Sequence, residues 1–384
     1  MEKNLFTISY PKDSGFDRTD IYFYQGKPSP EEVYLKDTSV GRQRLFVTDA
    51  SIFSLESMKD FSKCFTQIEC TSLCDGARLF SSGNDLLVVL GSGEKFKTLQ
   101  NVTNIIQAAL EHDYNRNCLF IAIGGGVICD MTAFAASIYK RGVEVEFVPT
   151  TLLSMVDAAI GGKSGCDYSS YKNMIGSFWP AKKLHVWSDF VLSLPDSEYL
   201  SGLGEALKTA LLFSEKLCRI FTKEKDKVMA RDHDTLKTII DECACAKAAI
   251  VEEDLREHGR RAFLNLGHTF GHALESCAGL GTISHGEAVV WGIGRALDLS
   301  ENLGLCSEEY AATNKSMLSS YGYDMNPIPS VLKGFDGNCT QELIKAMHKD
   351  KKNNSNEIRL ILQRNYSDTV IQTVSDGEIE IVLK

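Results

Sequence analysis

No stretch of this sequence approaches the ~18 consecutive apolar residues of a membrane-spanning helix. Its first residues, Met-Glu-Lys-Asn-Leu-Phe-Thr, hold neither a long apolar core nor a small-residue cleavage pattern. The expectation is a soluble, cytoplasmic protein that is neither exported nor membrane-embedded. Proline is scarce, eight in 384 residues, and five of the eight precede residue 190. Internal repeats and low-complexity segments are missing. So is a basic excess: a formal net charge of −10 gives nucleic acid or a membrane surface no long-range attraction. An anionic small substrate remains allowed, because a local cluster of Lys and Arg overrides a distant net charge. Cysteine, in contrast, is plentiful, with twelve residues. They follow no regular framework, several lie in apolar segments (Cys118, Cys129, Cys218), and Cys243-Ala-Cys245 has the wrong spacing for a zinc knuckle. Free thiols in a reducing compartment are the expected state.

With 43% hydrophobic and 24% charged residues over 384 positions, the chain has material for about two globular domains. Arg44-Leu-Phe-Val-Thr-Asp49, Asp85-Leu-Leu-Val-Val-Leu90, Cys118-Leu-Phe-Ile-Ala-Ile123 and Glu144-Val-Glu-Phe-Val148 read as strands. The third is fully apolar, as a buried parallel strand is. Leu99, Val102, Ile105, Ile106 and Leu110 recur at helical spacing and predict a helix over Phe96–Glu111. A second, Ala-rich helix is expected over Ile128–Tyr139, after Gly124-Gly-Gly126 ends the strand. Strand, glycine turn, helix and strand form a βαβ unit, so the first domain is predicted as α/β with a parallel, Rossmann-like sheet. From Pro195 the periodicity turns helical: around Glu205, over Leu236–Val251, through Arg261–His272 and over Gly286–Leu303. The boundary is placed near 188–195, with an α/β domain over 1–190 and a mainly α-helical domain over 191–384. Glu357-Ile-Arg-Leu-Ile-Leu362 reads as a final strand.

Within this frame four stretches carry chemistry. Gly124-Gly-Gly126 with Asp130 opens a helix after a buried strand, where backbone can approach a pyrophosphate. It does not spell G-x-G-x-x-G, so an ordinary Rossmann dehydrogenase is not supported. Gly161-Gly-Lys-Ser-Gly165 with Lys172 and Asn173 suits an oxyanion on a glycine-rich loop; the first glycine of a P-loop is missing, which excludes that motif. Glu205 and Lys208 lie three apart on a helix expected to begin after Gly202–Gly204. Finally, Arg261-Ala-Phe-Leu-Asn-Leu-Gly-His-Thr-Phe-Gly-His272 packs a guanidinium, a carboxamide and two imidazoles into twelve residues. On one continuous helix Asn265, His268 and His272 would share a face, and His285 follows thirteen residues later. Two of these histidines with Glu205 would leave a coordination position open, the pattern of catalytic zinc. Spacing alone leaves open which two.

Together these motifs, in fixed order from about Asp49 to Lys352, resemble the 3-dehydroquinate synthase family of sugar-phosphate cyclases. The family's glycine turn reads Gly124-Gly-Gly-Val-Ile-Cys-Asp130, and its central block runs from Val148 to Gly165. Its metal helix is Gly202-Leu-Gly-Glu-Ala-Leu-Lys208, and its histidine block is Arg261–His272. The resemblance implies NAD held by Asp49, Glu94, Lys97, Gly125, Gly126, Asp130, Thr150 and Thr151. It implies zinc, with cobalt as an alternative ion, held by Glu205, His268 and His285. Lys163, Lys208, Lys247, Arg261, Asn265 and His272 are implied as catalytic. Asp157, Lys172, Asn173 and one of Lys351 or Lys352 are implied to meet the substrate, an anionic sugar phosphate. Arg141 matches an arginine that reaches a neighbouring subunit's phosphate site, which implies a homodimer. The family converts 3-deoxy-arabino-heptulosonate 7-phosphate into 3-dehydroquinate and phosphate. A hydride leaves C5 and returns, phosphate departs by β-elimination between those events, and an aldol reaction closes the ring.

Some positions depart from the family pattern: Cys129 and Tyr171 stand where glycine is usual, Ser51 replaces a common Asn, and Thr209-Ala210 replaces Tyr-Gly. None removes a ligand or a charged contact. Three rival readings are a sister cyclase acting on sedoheptulose 7-phosphate, a metal-dependent NAD polyol dehydrogenase and a non-catalytic NAD-binding protein. The intact Arg261, Asn265, His272 and Gly161-Gly-Lys163 favour the dehydroquinate pattern over the first. The second would more often show an Asp ligand and would give net NADH, and the intact ligand and substrate set argues against the third.

Overall fold

The computed structural model describes residues 3–36, 41–169, 171–279, 281–334, 337–349 and 358–384. The chain divides into two compact units, one of Met1–Leu194 with Lys247–Arg256, the other of Pro195–Ala246 with Glu257–Lys384.

The first unit is built on a nine-stranded sheet. Its strands in chain order are β1 (Lys3–Ser9), β2 (Arg18–Tyr24), β3 (Arg44–Asp49), β4 (Thr66–Ile68), β5 (Arg78–Ser82), β6 (Asp85–Leu90), β7 (Leu119–Gly124), β8 (Glu144–Pro149) and, after a separate hairpin, β11 (Lys183–Trp187). The spatial order is β1-β2-β11-β8-β7-β3-β6-β5-β4. From β2 to β6 every pairing is parallel, while β1 and the β4–β5 pair add antiparallel edges. Every residue of β6 and β7 is buried, as the continuous apolar runs require of strands covered on both faces. The sheet is therefore mostly parallel, and the antiparallel edges were not foreseen. After β3 the chain crosses to β6 on one side, then returns to β7 on the other, so the C-terminal ends of β3 and β7 flank a topological switch point.

Short helices α1 (Pro30–Tyr34), α2 (Ala50–Phe53) and α3 (Lys59–Ser62) precede the two main helices of this unit, α4 (Leu99–Glu111) and α5 (Gly126–Ile138). Helix α4 begins three residues later than the apolar spacing suggests. Thr98 is its N-cap and accepts a hydrogen bond from the Asn101 N–H, leaving Glu94–Phe96 as a separate 3-10 turn. The expected glycine-rich loop is instead the hairpin β9 (Lys163–Tyr168) and β10 (Tyr171–Phe178). Gly165 and Gly176 face each other across it, and a Cβ on Gly165 would lie 2.5 Å from the Ile175 carbonyl oxygen.

The second unit comprises α6 (Asp196–Phe213), α7 (Glu215–Lys223), α8 (Lys225–Met229), α9 (His233–Glu253), α10 (His268–Ala278), α11 (His285–Asn302), α12 (Glu308–Ser320), α13 (Cys339–His348) and α14 (Asp376–Val382). Residues of α9 from Lys247 onward group with the first unit. The terminal strand forms as β12 (Ile358–Asn365), pairing with an unforeseen β13 (Asp368–Val374). Helix α6 starts at Asp196, not after the glycines, so Gly202 and Gly204 lie inside it. All twelve cysteines are free thiols. Among the described residues no helix is long and apolar enough to cross a membrane.

Candidate active site

In the first unit the candidate cofactor residues collect at the C-terminal ends of parallel strands. Asp49 closes β3 and N-caps α2; its Oδ1 accepts from the Ser51 and Ile52 N–H groups and from the Ser51 and Ser92 hydroxyls. Ser92 is thus part of this arrangement although no sequence motif marked it. Across the switch point, Gly125 N-caps α5 with no side chain in the way. A Cβ there would lie 2.9 Å from Thr151 Cγ2, and one on Gly126 would lie 3.2 Å from Ala158, so larger residues would crowd the turn. Thr150 donates its N–H to the Gly124 carbonyl at 3.0 Å, and among the described residues its buried hydroxyl has no hydrogen-bond partner. A glycine turn at a helix N-terminus beside an orphaned hydroxyl fits a pyrophosphate. Glu94 is exposed on the adjoining turn.

Lys97 links the two candidate sets. Its Nζ lies 2.7 Å from Asp130 Oδ2 and 2.6 Å from Asn173 Oδ1. Burial alone would lower the Lys97 pKa, but the Asp130 and Glu94 charges outweigh it and raise it. Asn173 adopts φ +52° and donates its N–H to Asp167 Oδ1 at 2.7 Å. Lys247 and Lys163 also act on the Asp130 carboxylate. Lys247 Nζ contacts Asp157 twice, at 2.7 Å to Oδ1 and 2.5 Å to the carbonyl, and Asp157 sits in a π-helical turn, Ser154–Ala158. Such turns recur at functional sites. Lys163 is exposed and Lys172 half-buried on the hairpin. Arg141 is exposed at φ +69°. Lys351 and Lys352 lie outside the described residues.

In the second unit the histidines cluster, though not on one helix. Arg261 and Asn265 belong to a 3-10 segment, Arg260–Asn265, and Gly267 at φ +79° separates it from α10. The expected common face of Asn265, His268 and His272 is thereby broken after Asn265; only His268 and His272 keep it. A side chain at Gly267 would strike the Val289 carbonyl on α11, 2.5 Å away, so the break follows from tertiary packing. Asn265 Nδ2 donates to Glu257 Oε1 and to the Ala262 carbonyl. Glu257 joins the site without a prior sequence signal, since one acidic residue among charged neighbours reads as surface. Arg261 is 1% exposed.

Helices α6 and α11 meet backbone to backbone. A Cβ on Gly204 would lie 2.6 Å from the Gly286 carbonyl oxygen, and one on Gly286 would lie 1.9 Å from that of Ser201. This approach sets Glu205, next to Gly204, against His285, next to Gly286. The Glu205, His268 and His285 ligand atoms lie within 4.8 Å of one another. Glu205 is 0% exposed; among the described residues its Oε1 accepts no hydrogen bond, while the Lys208 ammonium pairs with Oε2. The His285 and His268 Nε2 atoms stand 3.7 and 3.8 Å from Glu205 Oε1, beyond hydrogen-bonding reach. A buried carboxylate with an unsatisfied oxygen facing two imidazoles fits a cation of the zinc class. Glu275, on α10, stands 3.4 Å from His285 Nδ1. Burial disfavours a charged His285 ring, but Glu275 and the Glu205 charge outweigh it and raise its pKa. His272 completes the cluster, its ring 5.4 Å from that of His268 and 6.0 Å from that of His285.

The fold is shared with 2-deoxy-scyllo-inosose synthase, solved with carbaglucose-6-phosphate, NAD+ and Co2+, at a TM-score of 0.80, 22% identity and 99% coverage of both chains. It is shared too with 2-epi-5-epi-valiolone synthase from Streptomyces hygroscopicus subsp. jinggangensis 5008, solved with NAD+ and Zn2+, at 0.79, 23% and 98% of both chains. Glycerol dehydrogenase from Schizosaccharomyces pombe is more distant, at 0.63 and 13%, over 94% of this chain and 87% of that one. By sequence the chain belongs to the 3-dehydroquinate synthase family: residues 87–201 match its N-terminal part and residues 202–353 its C-terminal part. It is 38% identical to the 3-dehydroquinate synthase of Francisella tularensis subsp. holarctica (strain FTNF002-00 / FTA) over 294 residues, 76% of this chain and 80% of that protein. With the enzyme of Acinetobacter baumannii (strain SDF) it shares 40% over 291 residues, 76% and 79% of the two chains.

Proposed function

We infer that the chain is a 3-dehydroquinate synthase, a carbon–oxygen lyase of the shikimate pathway. Its reaction converts 3-deoxy-arabino-heptulosonate 7-phosphate to 3-dehydroquinate and phosphate. The observation that carries this reading is the match to both parts of the family at 38% identity. Cyclases of the sister type resemble the chain in fold at 22–23% identity, which does not extend to substrate.

On this reading NAD is bound by Asp49, Glu94, Lys97, Gly125, Gly126, Asp130, Thr150 and Thr151, and supplies reversible hydride acceptance at C5. Zinc, or cobalt in its place, is held by Glu205, His268 and His285 and supplies Lewis acidity at the hydroxyl being oxidised. Arg261 suits the substrate carboxylate through a planar two-point contact. Lys163, Asn173 and His272 serve the phosphate, together with Arg141 of a second subunit in a homodimer. Asp157, Lys172, Lys208, Lys247 and Asn265 bind and orient the sugar, as does one of Lys351 and Lys352. Lys247 is already fixed by its two contacts with Asp157. The departing phosphate takes the neighbouring proton, so no strong protein base is assigned. The family's biosynthetic role supports a cytoplasmic location.

The test is purified protein with NAD, Zn2+ and the heptulosonate phosphate. Phosphate release with formation of a carbocycle and no net NADH is expected. Phosphate release from sedoheptulose 7-phosphate alone, or accumulating NADH, would overturn the reading.

A further inference from the structure

We propose that Glu275 is the positioning residue of the metal site, acting through His285. The proposal rests on the reading of Glu205, His268 and His285 as ligands. Glu275 lies three residues after His272 and seven after His268 on α10, which puts all three on one face. It is only 5% exposed, so its carboxylate is a costly group unless a partner compensates it. That partner is His285: the Nδ1 atom donates to Glu275 Oε2 at 3.4 Å, while Nε2 lies 3.7 Å from Glu205 Oε1. The two nitrogens of one imidazole thus face two buried carboxylates from different helices. With the proton held on Nδ1, the Nε2 lone pair is left on the side of Glu205 and His268, where a cation needs it.

A second grouping, His272, Glu275 and His285, also lies within 4.8 Å and would make Glu275 itself a ligand. The hydrogen bonding decides between the two. Glu205 Oε1, the oxygen that faces the His268 and His285 Nε2 atoms, is buried and accepts no hydrogen bond from the described residues. Its other oxygen is paired with Lys208, whereas Glu275 already accepts from His285 on the side away from that cluster. The carboxylate oxygen left without a donor between two imidazoles belongs to the ion, and the carboxylate engaged with His285 Nδ1 belongs to the ring.

The experiment measures Zn2+ affinity of the full chain by competition with a chromogenic chelator, and the visible spectrum of the Co2+-loaded protein. Glu275→Leu is expected to weaken Zn2+ binding about 10- to 100-fold. Glu275→Gln, which keeps an acceptor oxygen for Nδ1–H, recovers most of that loss and leaves the Co2+ bands in place. Should the leucine variant fail to fold, Glu275→Asp withdraws the acceptor by one methylene and is expected to weaken binding too. Wild-type affinity in both the leucine and aspartate variants would overturn the proposal. A Glu275→Gln variant as damaged as Glu205→Ala, with altered Co2+ bands, would overturn it as well by making Glu275 a ligand. Metal retained in Glu205→Ala would instead overturn the underlying ligand reading.

Discussion

Replacing Gly286 by alanine puts a methyl carbon 1.9 Å from the Ser201 carbonyl oxygen. Carbon–oxygen contacts are tolerated from about 3.3 Å, so about 1.4 Å must be found by moving α6 away from α11 or by bending either helix. Overpacking of this kind costs about 1–3 kcal/mol in stability. The larger effect falls on the ion, because metal–ligand distances tolerate roughly ±0.2 Å and His285 is the residue before Gly286. A shift several times that tolerance separates Nε2 from Glu205, and Zn2+ affinity is expected to fall at least about tenfold, or about 1.4 kcal/mol. Gly377→Ala is the control: it lies in α14 with open space where a Cβ would point, so stability should hold or rise slightly. Metal content after dialysis against a graded chelator, with thermal unfolding of both variants, gives the readout. A folded Gly286→Ala protein with unchanged Zn2+ affinity would refute the idea that the glycine contact sets the site.

Three further outcomes are expected. Glu205→Ala or His285→Ala should lose bound metal, whereas His272→Ala should retain it and lose turnover; metal analysis beside the phosphate-release assay checks this. Gly125→Val should weaken NAD binding at least about tenfold without changing Zn2+ affinity, as titration calorimetry would read. Glu146 should shape the acid limb of stability. It is 5% exposed, with Lys183 Nζ at 3.2 Å and His185 Nε2 at 3.5 Å. Burial alone would raise its pKa, but His185 and Lys183 outweigh it and hold the carboxyl below its ordinary value. A depressed pKa contributes stability above the ordinary carboxylate range, near ~4.3, and that contribution is lost as pH falls through the folded value. Glu146→Gln should therefore flatten the acid fall in denaturant-measured stability relative to wild type.

Four of the buried parallel strands, β3, β6, β7 and β8, are legible in the sequence because their chemistry is local, whereas β2 and β11 are not. Arg44–Asp49 and Asp85–Leu90 form at the residues where apolar runs meet polar or glycine ends. Antiparallel β4, β5 and the β9–β10 hairpin were not, since short strands with one exposed side carry little apolar signal. The helix of Arg261–His272 was misread for a different reason. Gly267 breaks it in response to α11, a partner 18 residues or more away in sequence that no window of spacing contains. The ligand-like residues Glu205, His268 and His285 stood out because such groups are unusual among apolar neighbours. Ser92, Glu257 and Glu275 did not, because their roles come from what they touch: Asp49, Asn265 and His285.

The assignment of Lys247–Arg256 to the first unit bears on how the protein can be taken apart. The family's two parts divide at residues 201 and 202, and a truncation there looks like a clean excision of the N-terminal half. It would in fact strip that half of Lys247 and leave Asp157 without the ammonium it holds at 2.7 Å. Swapping halves between relatives would likewise import a foreign Lys247 segment together with the metal helices. The chain is thus an interleaved whole, and complementation between separately expressed halves calls for cuts on both sides of residues 247–256.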